Sequence, residues 1–278
     1  MPVIAVINRK GGSGKSTVAT HIAASLAHEG HPSMLGDIDA QQSSRAWLRR
    51  RAKLDARQAP PIQGWIVDKL SVARPPAGVT HLVLDTPASL TGFNLARLVM
   101  WCDAIVMPVC DSAFDRESAA ACHAELLELP RVAAGRCKVG VVGMRVDRRT
   151  KGHASLDAWA SQHRMNFLGS LRATQLYVSA AEQGMTMFDL PPAKSAADRE
   201  EWLPVLEWIK AATQPRARTA TTAPVHAARR RELVAPPAPD PREASISLPP
   251  SLDAEIGQMT LTNLPRGFWG RVRRLWGA

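Results

Sequence analysis

No stretch of this 278-residue chain is apolar over the roughly 18 residues that a membrane-crossing helix needs. A membrane-crossing helix is therefore not expected. Paired cysteines are also missing. Cys102, Cys110, Cys122 and Cys137 form no CxxC pair, and a chain of this size does not need a disulfide framework to replace a core. They read as buried thiols in a reducing compartment, and no cysteine metal site is expected. The opening residues, Met1-Pro2-Val3-Ile4-Ala5-Val6-Ile7, lack the basic stretch and cleavage site of a secretory leader. They read instead as a first strand, and a cytoplasmic protein is expected. Internal repeats are absent. Acidic residues are in deficit, 25 against 35 Lys and Arg, which gives a formal net charge of +10 and a pI near 10.1. Such a balance favours polyanionic partners, nucleic acid or an acidic membrane surface, without choosing between them.

What is present is a core-forming chain with a different tail. Apolar residues make up 45%, enough for a sizeable core, and the length of 278 residues suggests one large or two small domains. Five short runs rich in Val, Ile and Leu read as strands buried on both faces: 3–7, 33–37, 81–85, 104–109 and 138–143. Helical patterns lie between them. Val18, Ile22 and Leu26 mark one face of a helix that ends near Gly30. Others cover 115–129, 155–163, 174–183 and 198–212, the last with Trp202, Leu206 and Ile209 on one side. Alternating strands and helices imply right-handed crossovers, hence an α/β, doubly wound, mainly parallel sheet covered on both faces. After Thr213 the composition changes. Residues 215–278 hold nine of the 21 prolines, ten Arg, no Lys and five acids. A segment of that kind buries little apolar surface and is expected to be disordered. The expected organisation is a nucleotide-binding domain over 1–212, a Pro/Arg-rich linker over 213–263 and a short basic amphipathic segment over 264–278.

Chemistry enters at Lys10-Gly11-Gly12-Ser13-Gly14-Lys15-Ser16-Thr17, directly after the first strand and at the start of the first helix. That is the context a phosphate-binding P-loop requires. Glycines leave backbone N–H groups free to turn inward around phosphate oxygens, and the helix N-terminus adds its positive end. Lys15 is placed to reach the β- and γ-phosphates, and the Ser16 hydroxyl to ligate Mg²⁺. A glycine-rich turn can be purely structural, but the position of Lys15-Ser16-Thr17 argues for ATP with Mg²⁺. The pattern GxxxxGK[ST] asks for glycine at position 9, where this chain has Arg9.

With lysine at position 10, the loop resembles the deviant Walker A motif of the ParA/MinD family of ATPases. Asp37-Ile38-Asp39-Ala40-Gln41-Gln42-Ser43 resembles that family's switch I, with Ala40 in place of the usual proline. Asp85-Thr86-Pro87, after Leu82-Val83-Leu84, is similar to its Walker B and switch II. Val142-Gly143-Met144-Arg145-Val146-Asp147 is similar to the strand end near the base, with Met144 where Asn is common. The resemblance covers about residues 1–212. It implies a homodimer that sandwiches two ATP molecules, with Lys10 crossing to the partner's phosphates and Gly12 allowing close approach of the loops. Asp39 would position the attacking water, and Asp37 and Asp85 would act on Mg²⁺ through its water shell. Met144 and Arg145 would lie by the base. Asp37, Asp39 and Asp85 can each be read as a loop-capping acid. Three of them at strand ends beside a P-loop favour the functional reading, because ligands of open α/β sheets bind at those ends.

The family positions cargo such as plasmids, chromosome regions, protein complexes or division machinery, usually with an adaptor that stimulates hydrolysis. One branch binds DNA non-specifically as an ATP dimer. Candidate DNA contacts here are Arg172, Lys194, Arg199 and Lys210, each of which taken alone reads first as a solvated surface charge. DNA-binding relatives have a basic residue near Leu176, which this chain lacks, with Arg172 the closest basic residue in sequence. Arg216, Arg218 and Arg229-Arg230-Arg231 could add phosphate contacts from the tail. Another branch is recruited to membrane by a C-terminal amphipathic helix. Phe268, Trp269, Val272, Leu275 and Trp276 fall at i, i+1, i+4, i+7 and i+8, among Arg266, Arg271, Arg273 and Arg274. Such a face can lie in an anionic membrane interface, dock on a partner or fold back on its own domain. Gly267, Gly270 and Gly277 weaken the helix. Nucleoid association and peripheral contact at the inner membrane face therefore both stand as expectations. A redox or metal-transfer ATPase of the same fold would usually carry paired cysteines.

Overall fold

The computed structural model describes residues 1–66, 77–147 and 150–214. The linker beyond Gln214 and the amphipathic segment at 264–278, with Phe268, Trp269, Val272, Leu275 and Trp276, lie outside the described residues.

The chain runs β1 (Val3–Val6), α1 (Lys15–His28), β2 (Ser33–Asp37), α2 (Ser43–Arg51), β3 (Gln63–Ile66), β4 (His81–Asp85) and α3 (Gly92–Val99). It continues through β5 (Ala104–Cys110), α4 (Ala113–Glu128), α5 (Pro130–Ala133), β6 (Lys138–Val146), α6 (Gly152–Gln162), β7 (Phe167–Arg172), α7 (Gln175–Glu182) and α8 (Pro192–Thr213). The seven strands form one sheet in the order β3-β2-β4-β1-β5-β6-β7. Every pairing is parallel.

Alternate strand residues feed two cores, as the two-residue period of a strand requires. Val3, Ala5, Ile7, Ile105 and Met107 pack with Leu95, Leu98, Cys122, Leu126 and Leu156 from α3, α4 and α6. Ile4, Val6, Val83 and Val106 pack on the other face with Val18, Ile22, Trp47, Trp202, Val205 and Ile209 from α1, α2 and α8. Cys102, Cys122 and Cys137 are buried and Cys110 is half-buried. Burial raises the pKa of all four thiols.

The five expected strands are the five central ones. Both edges, β3 and β7, are additional to the expectation, as are α2, α3 and α5. The reason is compositional. Edge strands are covered less completely, so β3 reads Gln-Gly-Trp-Ile and β7 reads Phe-Leu-Gly-Ser-Leu-Arg, without a continuous apolar run. Helix α2 buries Ser44, Trp47 and Arg51, a face with one apolar residue. Helix α8 starts six residues before the expected position 198 and accommodates Pro204.

Two polar clusters brace the helices on the α1 face. His21 is fully buried and its ring stacks on Trp202 at 5.0 Å. Its Nε2 accepts the Met187 N–H at 3.2 Å, so Nδ1 carries the proton and donates to the Thr17 carbonyl at 2.7 Å. Burial pushes its pKa down to about 4. Nearby, Arg51 at the end of α2 forms a two-pronged pair with Asp189, at 2.8 and 2.9 Å. Asp189 also accepts from the Thr186 N–H and hydroxyl and bonds His28 of α1. Burial opposes ionisation of Asp189, yet His28, Arg51 and Thr186 together hold its carboxyl well below the usual carboxylate range.

Candidate nucleotide-binding site

Strand β1 delivers the chain to the loop at the C-terminal edge of the sheet, where Asn8 fixes its departure. The Asn8 amide donates to the Pro108 carbonyl at 2.6 Å, and its Oδ1 accepts the Lys10 N–H at 3.0 Å. Arg9, standing where the P-loop pattern has glycine, pairs with Glu125 of α4. Glu125 also accepts the Gly92 N–H at the start of α3, at 2.8 Å. The departure from the pattern thus ties the loop to two neighbouring helices.

Gly12 and Gly14 adopt φ of +74° and +97°, a region strained for other residues. Gly14 is also the N-cap of α1 and has no side chain to cap it. A Cβ at Gly14 would stand 2.8 Å from Cε of Met144, the buried residue near the end of β6. Met144 therefore lies against the loop, while Arg145 is exposed with φ +54°. Gly11 has open space around its Cα. The Ser13 hydroxyl is buried without a hydrogen-bond partner among the described residues. Ser16 and Thr17 are half-buried in the first turn of α1.

Lys15 and Lys10 have different surroundings. Lys15 is 7% exposed and its ammonium donates to the Lys10 carbonyl at 3.1 Å. Burial lowers its pKa, opposed by the charges of Asp85 and Asp39. The Lys10 side chain is exposed and has no partner among the described residues.

The acids converge through sheet register. Strands β2 and β4 pair so that Asp37 lies beside Asp85. Asp85 is 1% exposed. Its Oδ2 accepts the Ser44 hydroxyl at 2.6 Å, whereas Oδ1 is buried with no partner among the described residues. Burial pushes its pKa up to about 6, against the Ser44 and Ser16 hydroxyls, which favour the ionised form. Asp37 accepts the Asp39 N–H at 3.1 Å and the Arg45 N–H at 2.9 Å, capping the first turn of α2. Burial raises its pKa as well. Asp39 is half-buried and accepts the Gln41 N–H at 3.0 Å.

Ser44, Asn8 and Glu125 were not legible as site residues. Ser44 has one available signal, a Ser-Ser pair opening a helix after an acidic loop. Glu125 has none, because only the packing of α4 brings it to the loop.

The residues present fit Mg²⁺ and a polyphosphate. Two buried polar atoms, Ser13 Oγ and Asp85 Oδ1, are orphaned at the loop and at the neighbouring strand end, and such atoms are costly unless a ligand satisfies them. Among the described residues no group of three or more His, Cys, Asp and Glu is placed to hold a metal by itself. A donor set of one hydroxyl and nearby carboxylates suits Mg²⁺, which keeps waters and phosphate oxygens in its shell.

The expected DNA contacts are placed differently. Arg172 forms a two-pronged pair with the buried Asp198 at 2.7 and 2.8 Å. Arg199 donates to the carbonyls of Met187, Phe188 and Leu190. Lys210 pairs with Glu29 at 2.9 Å. Lys194 is exposed at the start of α8. Three of the four are engaged within the protein, so the surface expected from sequence is not a free basic patch. Among the described residues no helix is long and apolar enough to cross a membrane.

A parallel sheet with a glycine loop between its first strand and first helix, closed by paired carboxylates, defines a P-loop nucleotide-binding protein. Residues 4–187 match the family described as CobQ/CobB/MinD/ParA nucleotide binding domain, and the chain belongs to that family. It is similar to the maintenance of carboxysome distribution protein A of Halothiobacillus neapolitanus, 28% identical over 200 residues, covering 70% of this chain and 91% of that protein. Among solved structures, the fold is similar to the ATP complex of a Cyanothece McdA variant. The TM-score is 0.57 at 14% identity, covering 76% of this chain and 96% of that one. It is also similar to the septum site-determining protein MinD of Pyrococcus horikoshii with Mg-ADP. There the TM-score is 0.54 at 12% identity, covering 75% and 95%.

Proposed function

We propose that this protein is an ATP-dependent dimerisation switch of the ParA type, which positions an intracellular cargo by nucleotide-dependent, non-specific DNA binding. The observation that carries the reading is the contrast between the two lysines of one loop. Lys15 is buried and turned into its own loop, which suits it to hold phosphates within the subunit. Lys10 is exposed and its side chain has no partner among the described residues, which suits it to reach the phosphates of a partner subunit. The carboxysome-distribution relative supports cargo positioning as the biological role.

In this reading Gly12 and Gly14 let the loop backbone close around phosphates, and Ser13 satisfies its hydroxyl on them. Ser16 would hold Mg²⁺, with Asp37 and Asp85 beside it, and the ion when bound would neutralise charge on the phosphate oxygens. Asp39 orients the attacking water. Met144 and Arg145 border the base. Hydrolysis removes the γ-phosphate that orders the switch, and the dimer loosens. An adaptor protein that stimulates turnover belongs to the same reading. The domain over 1–212 acts with a tail whose segment at 264–278 contacts membrane or protein.

Light scattering after size exclusion, together with phosphate release, tests this. Wild-type protein with ATP is expected as a dimer. Lys10→Ala is expected to bind ATP but remain a monomer, and Lys15→Ala to bind none. Asp39→Ala is expected to form a persistent dimer without turnover. A Lys10→Ala protein that dimerises like wild type would sink the cross-subunit role. Wild-type turnover by Asp39→Ala would remove Asp39 from its role.

A further inference from the structure

We infer that the solvent face of α2 and the turn after it, carrying Arg45, Arg49, Lys53 and Arg57, is the nucleotide-governed contact surface for nucleic-acid phosphates. The inference rests on the DNA-binding reading above and assigns its surface.

The first argument is charge without partners. From Ser43 to Gln58 there are six basic residues and one acid, Asp55. Of the six, Arg51 is neutralised by Asp189 and Arg50 donates to the Ala181 carbonyl. Among the described residues Arg45 reaches only the neutral side chain of Gln42, at 3.2 Å. Arg49, Lys53 and Arg57 are exposed, and their side chains have no partner among the described residues.

The second argument is geometry. Helix α2 buries Ser44, Trp47 and Arg51 on one side. Arg45 and Arg49 stand one turn apart on the opposite side. The chain stays coiled past Arg51, with N–H bonds from Ala52, Lys53 and Leu54 to the carbonyls of Leu48, Arg50 and Arg51. Lys53 therefore extends the same row. Each four-residue step from Arg45 to Lys53 rises about 6 Å, so these three cations form a line rather than a point, and Arg57 lies in the turn that follows. A helix C-terminus attracts cations by its dipole, which accounts for residues in the last turn. It does not account for Arg45 in the first turn or Arg57 beyond the helix.

The third argument is linkage to the nucleotide site. The first turn of α2 hangs on Asp37, through the Arg45 N–H, and on Asp85, through the Ser44 hydroxyl. Those are the two carboxylates beside the proposed Mg²⁺. A change in their bonding on nucleotide binding must be felt by the first turn. The last turn is anchored by Arg51 and by close packing on Gly184, where a Cβ would stand 2.4 Å from the Arg51 nitrogen. The helix is thus pinned at one end and governed at the other.

The test uses the full chain with a labelled mixed-sequence duplex, in ATP and in ADP, across a salt series. The variant Arg49→Ala/Lys53→Ala/Arg57→Ala is expected to bind the duplex about tenfold or more weaker in ATP. Its slope of log affinity against log salt should fall by about 2 to 3, one unit or a little less per lost phosphate contact. Arg49→Lys/Arg57→Lys, which keeps the charge, is expected to stay within about threefold of wild type. Ser44→Ala is expected to shrink the ATP-to-ADP affinity ratio. If the triple variant binds with wild-type affinity and slope, the surface is elsewhere while DNA binding stands. If wild type binds no duplex in either nucleotide, the functional reading itself fails. If the triple variant loses binding to phosphatidylserine vesicles but not to duplex, the surface is a lipid surface and the assignment is overturned. An unchanged ratio in Ser44→Ala would break the link to the nucleotide site.

Discussion

At the scale of single residues, the site stores its cost in Asp85 and Gly14. Asp85 must ionise in a place that favours its proton. Its folded pKa of about 6 exceeds the ordinary 3.8 because of burial. The folded state therefore holds the proton more tightly than the unfolded chain. The stability this gives is fully present below about 3.8 and is lost as pH rises through about 6. Replacing the carboxylate with a neutral isostere removes the penalty where it is felt. Asp85→Asn is expected to raise the Tm of the nucleotide-free protein by roughly 3–8 °C at about pH 7.5, with the gain closing near pH 4. In parallel, Mg·ATP binding by wild type should weaken as pH falls below about 6. A thermal-shift series across pH checks both, and a gain of equal size at both ends would contradict the cause. Gly14 poses a different problem, because steric contact and backbone conformation both forbid a side chain. Gly14→Ala is expected to cost about 1–3 kcal/mol and to abolish nucleotide binding. Adding Met144→Ala removes the 2.8 Å contact but leaves φ at +97°, so denaturant titration should show only partial recovery. Full recovery would mean that Met144 alone was the obstacle.

At the scale of elements, what matters is where α2 is held. Its C-terminal end is pinned by Arg51 and Asp189, both almost wholly buried. Removing one partner strands the other charge, and breaking such a pair typically costs about 3–5 kcal/mol. Asp189→Ala is therefore expected to lower Tm by roughly 6–15 °C in a domain of this size. Arg51→Met/Asp189→Leu should recover part of that loss, because no charge is left stranded. A single variant within a degree or two of wild type would show that water reaches the pair. None of this was visible in the sequence, and the reason is physical. The central strands announce themselves because burial on both faces demands continuous Val, Ile and Leu. The phosphate loop announces itself because its residues are contiguous. Asp37 and Asp85 were legible as strand-end acids, but their adjacency depends on the β2–β4 register. Ser44, Arg51 and Asp189 act through contacts between distant segments. Helix α2 was missed because its buried face is Ser, Trp and Arg, which has no apolar period to read.

At the scale of the whole molecule, the net charge is divided between residues 1–214 and the tail beyond them. Ile209 of α8 is the last core residue on the α1 face among those described, and α8 ends at Thr213. Residues 215–278, with ten Arg against five acids, carry half of the net charge of +10. A chain ending at Gln214 is expected to fold with its Tm within about 3 °C of the full protein, since it keeps every core residue of both faces among those described, and to keep Mg·ATP binding. Its duplex affinity should fall, because the arginines of a tethered tail add phosphate contacts wherever the domain is already bound. The nucleotide dependence should persist, because the elements tied to Asp37 and Asp85 all lie before residue 215. Anisotropy titrations of both lengths in ATP and ADP separate the two contributions. Equal loss of affinity in both nucleotides means that the tail supplies adhesion and the domain supplies the switch. Loss confined to the ATP state would mean that the tail itself responds to the nucleotide, and the output of the switch would then lie in the tail rather than in α2.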